Sequence, residues 1–212
     1  IKLEFYPLPE VTPVTISSCF LDNDNTKASF DLTTANITTT APVTKKYYPT
    51  LADATAVGNG TNAINNPTAY ISGDGAVYVR VINDNQCYRV VKVTLFVIKP
   101  KPSALLVDKY ICIEDTTTLD AGPGYTAYLW SNGATTQSIS NMPVGDYFVT
   151  LSHDGCNTKQ FVRVLEAPKP IISQVDITNN TVTLTVTNGQ APYQYSIDGI
   201  NWQASNVFIG LP

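Results

Sequence analysis

Val93-Thr94-Leu95-Phe96-Val97-Ile98-Lys99-Pro100-Lys101-Pro102 is an apolar, strand-like run stopped by a pair of prolines. Proline fixes φ near an extended value and removes a ladder donor, so Pro-x-Pro ends a sheet and stiffens the exit from it. The same arrangement occurs twice more. Ile1-Lys2-Leu3-Glu4-Phe5-Tyr6 precedes Pro7-Leu8-Pro9, and Phe161-Val162-Arg163-Val164-Leu165 precedes Pro168-Lys169-Pro170. A strand-like run follows each pair, so the prolines read as linkers between β modules. The predicted frame is the last strand of a preceding repeat plus linker (1–9), two whole modules (10–99 and 100–167) and an unfinished one (168–212). Arrays of this kind present, space or adhere more often than they catalyse.

Composition agrees with modules of modest size. The chain has 212 residues, a net charge of -4, a pI near 4.8 and only 14% charged residues. Abundant Thr, Asn, Val and Tyr make poor long helices and good pleated surfaces. There is no basic footprint for nucleic acid and no apolar run of membrane-spanning length, so neither partner is expected. The chain opens on what reads as a finishing strand rather than a signal peptide, which suggests an excerpt of a longer secreted protein.

Strict alternation marks Val77-Tyr78-Val79-Arg80-Val81, with valines on one face, and Thr181-Val182-Thr183-Leu184-Thr185-Val186-Thr187, with threonines on the wet face. Further strands are expected at 14–19, 28–32, 46–50, 88–98, 104–113, 127–130, 147–151 and 158–165. Turn signals separate them, including Asp22-Asn23-Asp24-Asn25, Gly58-Asn59-Gly60, Gly73-Asp74-Gly75 and Asp154-Gly155. One helical turn is expected at 51–56. Short strands at this spacing predict an all-β chain of tandem Ig-like antiparallel β-sandwiches joined by Pro-x-Pro links.

The cysteines fall at matching landmarks. Cys19 is early and Cys87 late in the first module, as Cys112 is early and Cys156 late in the second. Pairing Cys19 with Cys87 and Cys112 with Cys156 would tie the start of each sandwich to the turn before its final strand. Each bond would contribute about 4 kcal/mol by loop closure. A shared metal site is disfavoured because no C-x-x-C spacing exists. Disulfides imply an oxidising, extracellular destination.

Several series resemble a known family. Ser18-Cys19, Asp22-Asn23-Asp24-Asn25, Ala28-Ser29-Phe30-Asp31-Leu32-Thr33, Tyr47-Tyr48-Pro49-Thr50-Leu51-Ala52-Asp53-Ala54 and Asn66-Pro67-Thr68-Ala69-Tyr70 resemble Ig-like repeats of large Bacteroidetes surface proteins. Tyr128-Leu129-Trp130-Ser131-Asn132-Gly133 with Gly145-Asp146-Tyr147-Phe148-Val149 is similar to short repeats found beside them. Ala191-Pro192-Tyr193-Gln194-Tyr195-Ser196-Ile197-Asp198-Gly199 through Asn201-Trp202-Gln203 resembles repeats of gliding-motility adhesins of the SprB type. The resemblance implies export by the type IX secretion machinery through a sorting domain outside these residues, and display on or release from the cell surface. It implies an adhesin stalk that touches surface glycan or another cell. The rival is an accessory or carbohydrate-binding region of a secreted enzyme.

Candidate sites are few. Asp22, Asp24 and Asp31 could supply calcium oxygens, yet the run lacks the glycine and closing glutamate of a calcium loop, and a polar hairpin turn explains it better. Trp130 and Trp202 are candidate glycan platforms, although both fall where a sandwich buries its central aromatic. Asp115-Thr116-Thr117 resembles a Bacteroidetes O-glycosylation acceptor at Thr116. His153 precedes a hairpin turn and reads as a solvated loop residue. No serine sits in a nucleophile elbow, and no glycine-rich phosphate loop is present, so no catalytic residue and no cofactor are expected.

Overall fold

The computed structural model describes residue 4, residues 6–58 and residues 62–211. Most of the finishing strand expected at 1–6, and the Asn59-Gly60 turn, lie outside the described residues. The chain divides into two compact units. One comprises Ile1–Pro102 with Gly124–Ala127 and Thr150–Lys159, and the other Ser103–Pro123, Tyr128–Val149 and Gln160–Pro212.

The first module is a sandwich built from β1 (Val14–Leu21), β2 (Asp24–Phe30), β3 (Val43–Tyr48), β4 (Tyr70–Ser72), β5 (Gly75–Asn83) and β6 (Tyr88–Ile98). The strand order is β3-β5-β6-β1-β2-β4, and β1 belongs to both layers. Its first part pairs with β6, and its end crosses to pair with β2 through Phe20↔Ala28. Alternation fills the space between layers as predicted. Val77, Val79 and Val81 from β5 meet Val91, Val93, Leu95 and Val97 from β6, against Ala28 and Phe30 from β2. Burying each valine or leucine is worth roughly 1.5–3 kcal/mol, which makes this face the main source of the module's stability.

One pairing departs from the all-antiparallel expectation. β1 runs parallel to β6, from Val14↔Val93 to Cys19↔Ile98. The first strand of the module therefore ends beside the end of its last strand.

The expected helical turn is α1 (Leu51–Thr55), capped by the Thr50 hydroxyl, which accepts from Asp53 N. It packs over the outer face of β5, where Arg80, on the side opposite the valines, is buried. The Arg80 guanidinium donates to Ala54 O, Ala56 O and Gly58 O at 2.7, 2.7 and 2.6 Å. It also lies over the Tyr88 and Tyr48 rings, 4.4 and 5.5 Å from their centroids. Carbonyls at a helix C-terminus carry partial negative charge, and aromatic faces add to it, so the cation is satisfied without a carboxylate.

The second module repeats the plan with β7 (Lys109–Ile111), β8 (Thr117–Asp120), β9 (Ala127–Trp130), β10 (Ser138–Met142), β11 (Gly145–His153) and β12 (Cys156–Glu166). Its sheets are β7-β12-β11-β9 and β8-β10, and β7 is again parallel to the last strand. Leu119, Trp130, Ile139, Val149, Val162 and Val164 are buried. The strand expected at 104–113 is realised only over its last part. Gln160 reaches across and satisfies Ser103 N, Ser103 O and Leu106 O, so this stretch follows a side chain instead of a neighbouring strand.

Residues 171–209 form a three-stranded antiparallel sheet of β13 (Ile171–Thr178), β14 (Thr181–Thr187) and β15 (Val207–Ile209), with Leu184 and Phe208 buried. β14 coincides with the alternating threonine run.

Candidate functional site at the cystine joint

The cysteine pairing is not the expected one. Cys19 is bonded to Cys156, with Cα atoms 5.5 Å apart, while Cys87 and Cys112 are free thiols. The parallel pairing of β1 with β6 is the reason. Cys19 sits opposite Ile98 at the far end of β6, whereas Cys87 precedes its first residue. Eleven residues of strand put those two cysteines about 35 Å apart, and a disulfide requires Cα atoms within about 7 Å. The second module repeats the geometry. Cys112 follows Ile111, which pairs with Glu166 at the end of β12, while Cys156 begins that strand. Each module thus carries one cysteine at each pole, and neither expected bond can close.

The tip of the β11–β12 hairpin belongs to the same compact unit as the first sandwich, and the cystine bonds Cys19 of that sandwich to Cys156 of the hairpin. Cys156 is buried, and Cys19 Sγ lies 3.7 Å from Gly155 O. The link Pro100-Lys101-Pro102 is fastened there as well. Lys101 N donates to Thr158 Oγ1 at 3.1 Å, and Lys101 Nζ donates to Gly124 O at 3.4 Å. Lys101 Nζ also stands 3.5 Å from His153 Nε2 and 5.5 Å from the centroid of the Tyr125 ring. Tyr125 meets His153 edge-on at 6.4 Å, and Asp154 Oδ2 is 3.2 Å from His153 Nε2. His153, read from sequence as a solvated loop residue, is instead part of the surface that receives the link.

The other candidate residues are dispersed. Asp22, Asp24 and Asp31 do not gather into a calcium shell, and among the described residues no cluster of three or more His, Cys, Asp or Glu could hold a metal. Asp24 accepts from the Thr26 hydroxyl and amide and pairs with Lys27 Nζ at 3.1 Å, which together hold its carboxyl below the usual range. Asp31 caps the turn at 32–34 by accepting from Thr33. These oxygens serve local turns, as short polar side chains do at strand ends.

Trp130 is 2% exposed and its Nε1 donates to Thr136 O, which removes it as a glycan platform. Trp202 is 61% exposed, contrary to a core role. It rims a cleft of about 530 Å³ with Tyr193, Tyr195, Ile172, Leu184 and Pro170. Tyr193 and Tyr195 meet edge-on at 6.4 Å, and the Tyr193 hydroxyl donates to Asn188 O. Beside it, Asp198 accepts from Ile200 N, Asn201 N, Asn201 Nδ2 and Ser196 Oγ, which depresses its pKa strongly. Thr116 is exposed immediately before β8. No described helix is long and apolar enough to cross a membrane.

A family model described as the Flavobacterium inter-domain disulphide bond domain matches residues 15–102. That span runs from β1, with Cys19, through the link Pro100-Lys101-Pro102. No curated protein sequence matches the chain. Among solved structures, the Sidekick-1 immunoglobulin domains 1–4 align at 13% identity and a TM-score of 0.25, covering 84% of this chain and 59% of that one. The titin I-band fragment I67–I69 aligns at 14% identity and 0.26, covering 92% and 84%. Drosophila OTK extracellular domains 3–5 align at 14% and 0.28, covering 72% and 58%. The chain thus spans less than two thirds of the Sidekick-1 and OTK chains. At these TM-scores the assignment of tandem Ig-like β-sandwiches rests on the strand order and buried faces described above.

Proposed function

We propose that the chain is a non-catalytic, covalently reinforced spacer of a secreted surface adhesin, exported by type IX machinery through a sorting domain outside these residues. In this reading Cys19–Cys156 is an inter-domain crosslink of the kind the matching family is described by. The supporting observation is where the cystine sits along the chain. Tension entering along β1 crosses from Cys19 to Cys156 and leaves along β12, so residues 20–155 lie off the covalent load path. Without the bond, pull would be resisted by sandwich packing, and whole domains are held by only about 5–15 kcal/mol. With it, both sandwiches keep their shape while a covalent bond carries the load. A stalk that holds out an adhesive or motility-linked region needs that property.

The test uses cells that make the protein. Antibody to residues 10–99 should label intact cells, and labelling should vanish when the type IX translocon is disabled. Cytoplasmic protein with Cys19 and Cys156 reduced would refute the reading.

The exposed Trp202 with Tyr193 and Tyr195 favours a second, compatible reading, in which residues 171–211 touch surface glycan through an aromatic cleft. Binding on a glycan array that Trp202→Ala abolishes without unfolding would support it, and unchanged binding would sink it. Thr116 is proposed as an O-glycan acceptor. Mass spectrometry of the exported protein should find hexose on Asp115-Thr116-Thr117 and none in Thr116→Ala.

A further inference from the structure

We infer that the cleft at Trp202 takes a neutral pyranose, stacked on the indole and hydrogen-bonded by side-chain amides, and excludes acidic sugars. The inference rests on the second reading above, that residues 171–211 touch glycan, and names the class of sugar.

The cleft joins two kinds of surface. Trp202, Tyr193 and Tyr195 supply aromatic faces, while Gln190, Gln194 and Ser196 supply amides and a hydroxyl. A pyranose ring is built to match. One of its faces is a patch of C–H groups, and its rim carries hydroxyls that both donate and accept. Amides and hydroxyls also do both, so each can meet a sugar hydroxyl in either sense. A proline-rich peptide would stack on the same rings, but proline has no N–H and such a segment offers mainly carbonyl acceptors. The glutamine carbonyl oxygens would then lose water without gaining a donor, which costs affinity.

The aromatic platform is fixed before any ligand arrives. On one side of Trp202, the Asp198 carboxylate accepts from the Asn201 backbone N–H and side-chain amide at 2.8 and 2.6 Å. On the other side, Gln203 exchanges two backbone hydrogen bonds with Tyr195 at 2.8 and 2.9 Å. The Gln203 side chain is held as well, donating to Ser205 O and Val207 O. Trp202 itself stays mostly exposed between these anchors. An indole on a pinned backbone has little freedom left to lose on binding, so stacking costs little ordering entropy.

Charge decides between classes of sugar. None of the described residues that line the cleft is charged. A carboxylate stands behind Ser196, whose hydroxyl donates to Asp198 at 2.9 Å, and the hydrogen bonds that Asp198 accepts favour its charged form. Lys169, next to Pro170 at the rim, is 3.7 Å from Glu166 Oε1 and so already faces a carboxylate. A uronic or sialic acid would bring its negative charge toward Asp198 and meet no cation in the cleft lining, and like charges brought together disfavour a partner. A neutral hexose or N-acetylhexosamine carries no such penalty.

The test is titration calorimetry of the 212-residue chain with oligosaccharides of both classes. Cellotetraose, chitotetraose and mannotetraose are the neutral probes, and sialyllactose and tetragalacturonate the acidic ones. At least one neutral probe should bind and both acidic probes should fail. Binding should shift the tryptophan fluorescence, because Trp130 is buried and Trp202 is exposed. Trp202→Ala should weaken it at least about tenfold with an unchanged thermal midpoint, and Trp202→Phe, which keeps an aromatic face, should retain most of it. Acidic probes that bind as tightly as neutral ones, or alone, overturn the inference and leave the glycan reading standing. Binding that Trp202→Ala leaves unchanged overturns both. Failure of every sugar, with or without capture of a proline-rich peptide, also overturns both.

Discussion

Breaking the cystine should release a large, countable length of chain. Cys19 and Cys156 are separated by 137 residues in sequence and 5.5 Å between Cα atoms. An extended chain spans about 3.3–3.6 Å per residue, so the bond hides roughly 450–490 Å of contour. In single-molecule pulling from the two ends, the oxidised protein should fall short of its full length by that amount. Reductant, or Cys156→Ser, should restore it in a single increment. At equilibrium the same change removes the loop-closure constraint on the unfolded chain, worth about 5 kcal/mol for a loop of this size. Equal full extension with and without reductant would refute the reasoning. Two shorter releases instead of one would restore the pairing of Cys19 with Cys87 and Cys112 with Cys156.

Other consequences follow from particular side chains. Arg80→Met should destabilise the first sandwich by about 3 kcal/mol in denaturant titration, because three carbonyls at the end of α1 lose charged donors. A loss below about 1 kcal/mol would show that water replaces them freely. Trp130→Ala should cost about 3–5 kcal/mol, whereas Trp202→Ala should stay within about 0.5 kcal/mol. Acrylamide should quench the Trp202 fluorescence and spare that of Trp130, and equal quenching would contradict the two burials. The pKa of Asp198 is depressed in the folded chain, so its contribution is present above the unfolded carboxylate value near 3.9 and is lost as pH falls through the folded value. Amide exchange at Ile200 and Asn201 should therefore accelerate on acidification below about pH 4, beyond the intrinsic rate. Asp198→Asn should remove that pH step, and a step that persists would assign it to another group.

The predicted strands at 14–19, 88–98, 127–130 and 181–187 lie inside or coincide with observed strands, because alternating apolar residues must face a core wherever the strand sits. The short strands β4, β8, β10 and β15 were not legible. Three to five residues are too few to show a period, and their pairing energy comes from neighbours distant in sequence. The burial of Arg80 was not legible for a related reason. Its position in the alternation points it away from the valine core, and only the packing of α1 over that face turns an outward position into a buried one.

The amino-acid sequence by itself determined the all-β class, the proline pairs that stop strand-like runs, the valine face of the first sandwich and the number of thiols available for bonding. These follow from local chemistry: side-chain alternation, the fixed φ of proline and the scarcity of helix formers. Which cysteines meet was decided only in three dimensions. Alternation is the same for a strand that pairs parallel or antiparallel, so nothing local distinguishes the two arrangements for β1. The parallel choice moves Cys19 by the length of β6, away from Cys87, to the pole where Pro100-Lys101-Pro102 departs and Cys156 arrives. Disulfide formation depends on separations of a few ångströms, and only the tertiary structure brings residues 19 and 156 that close.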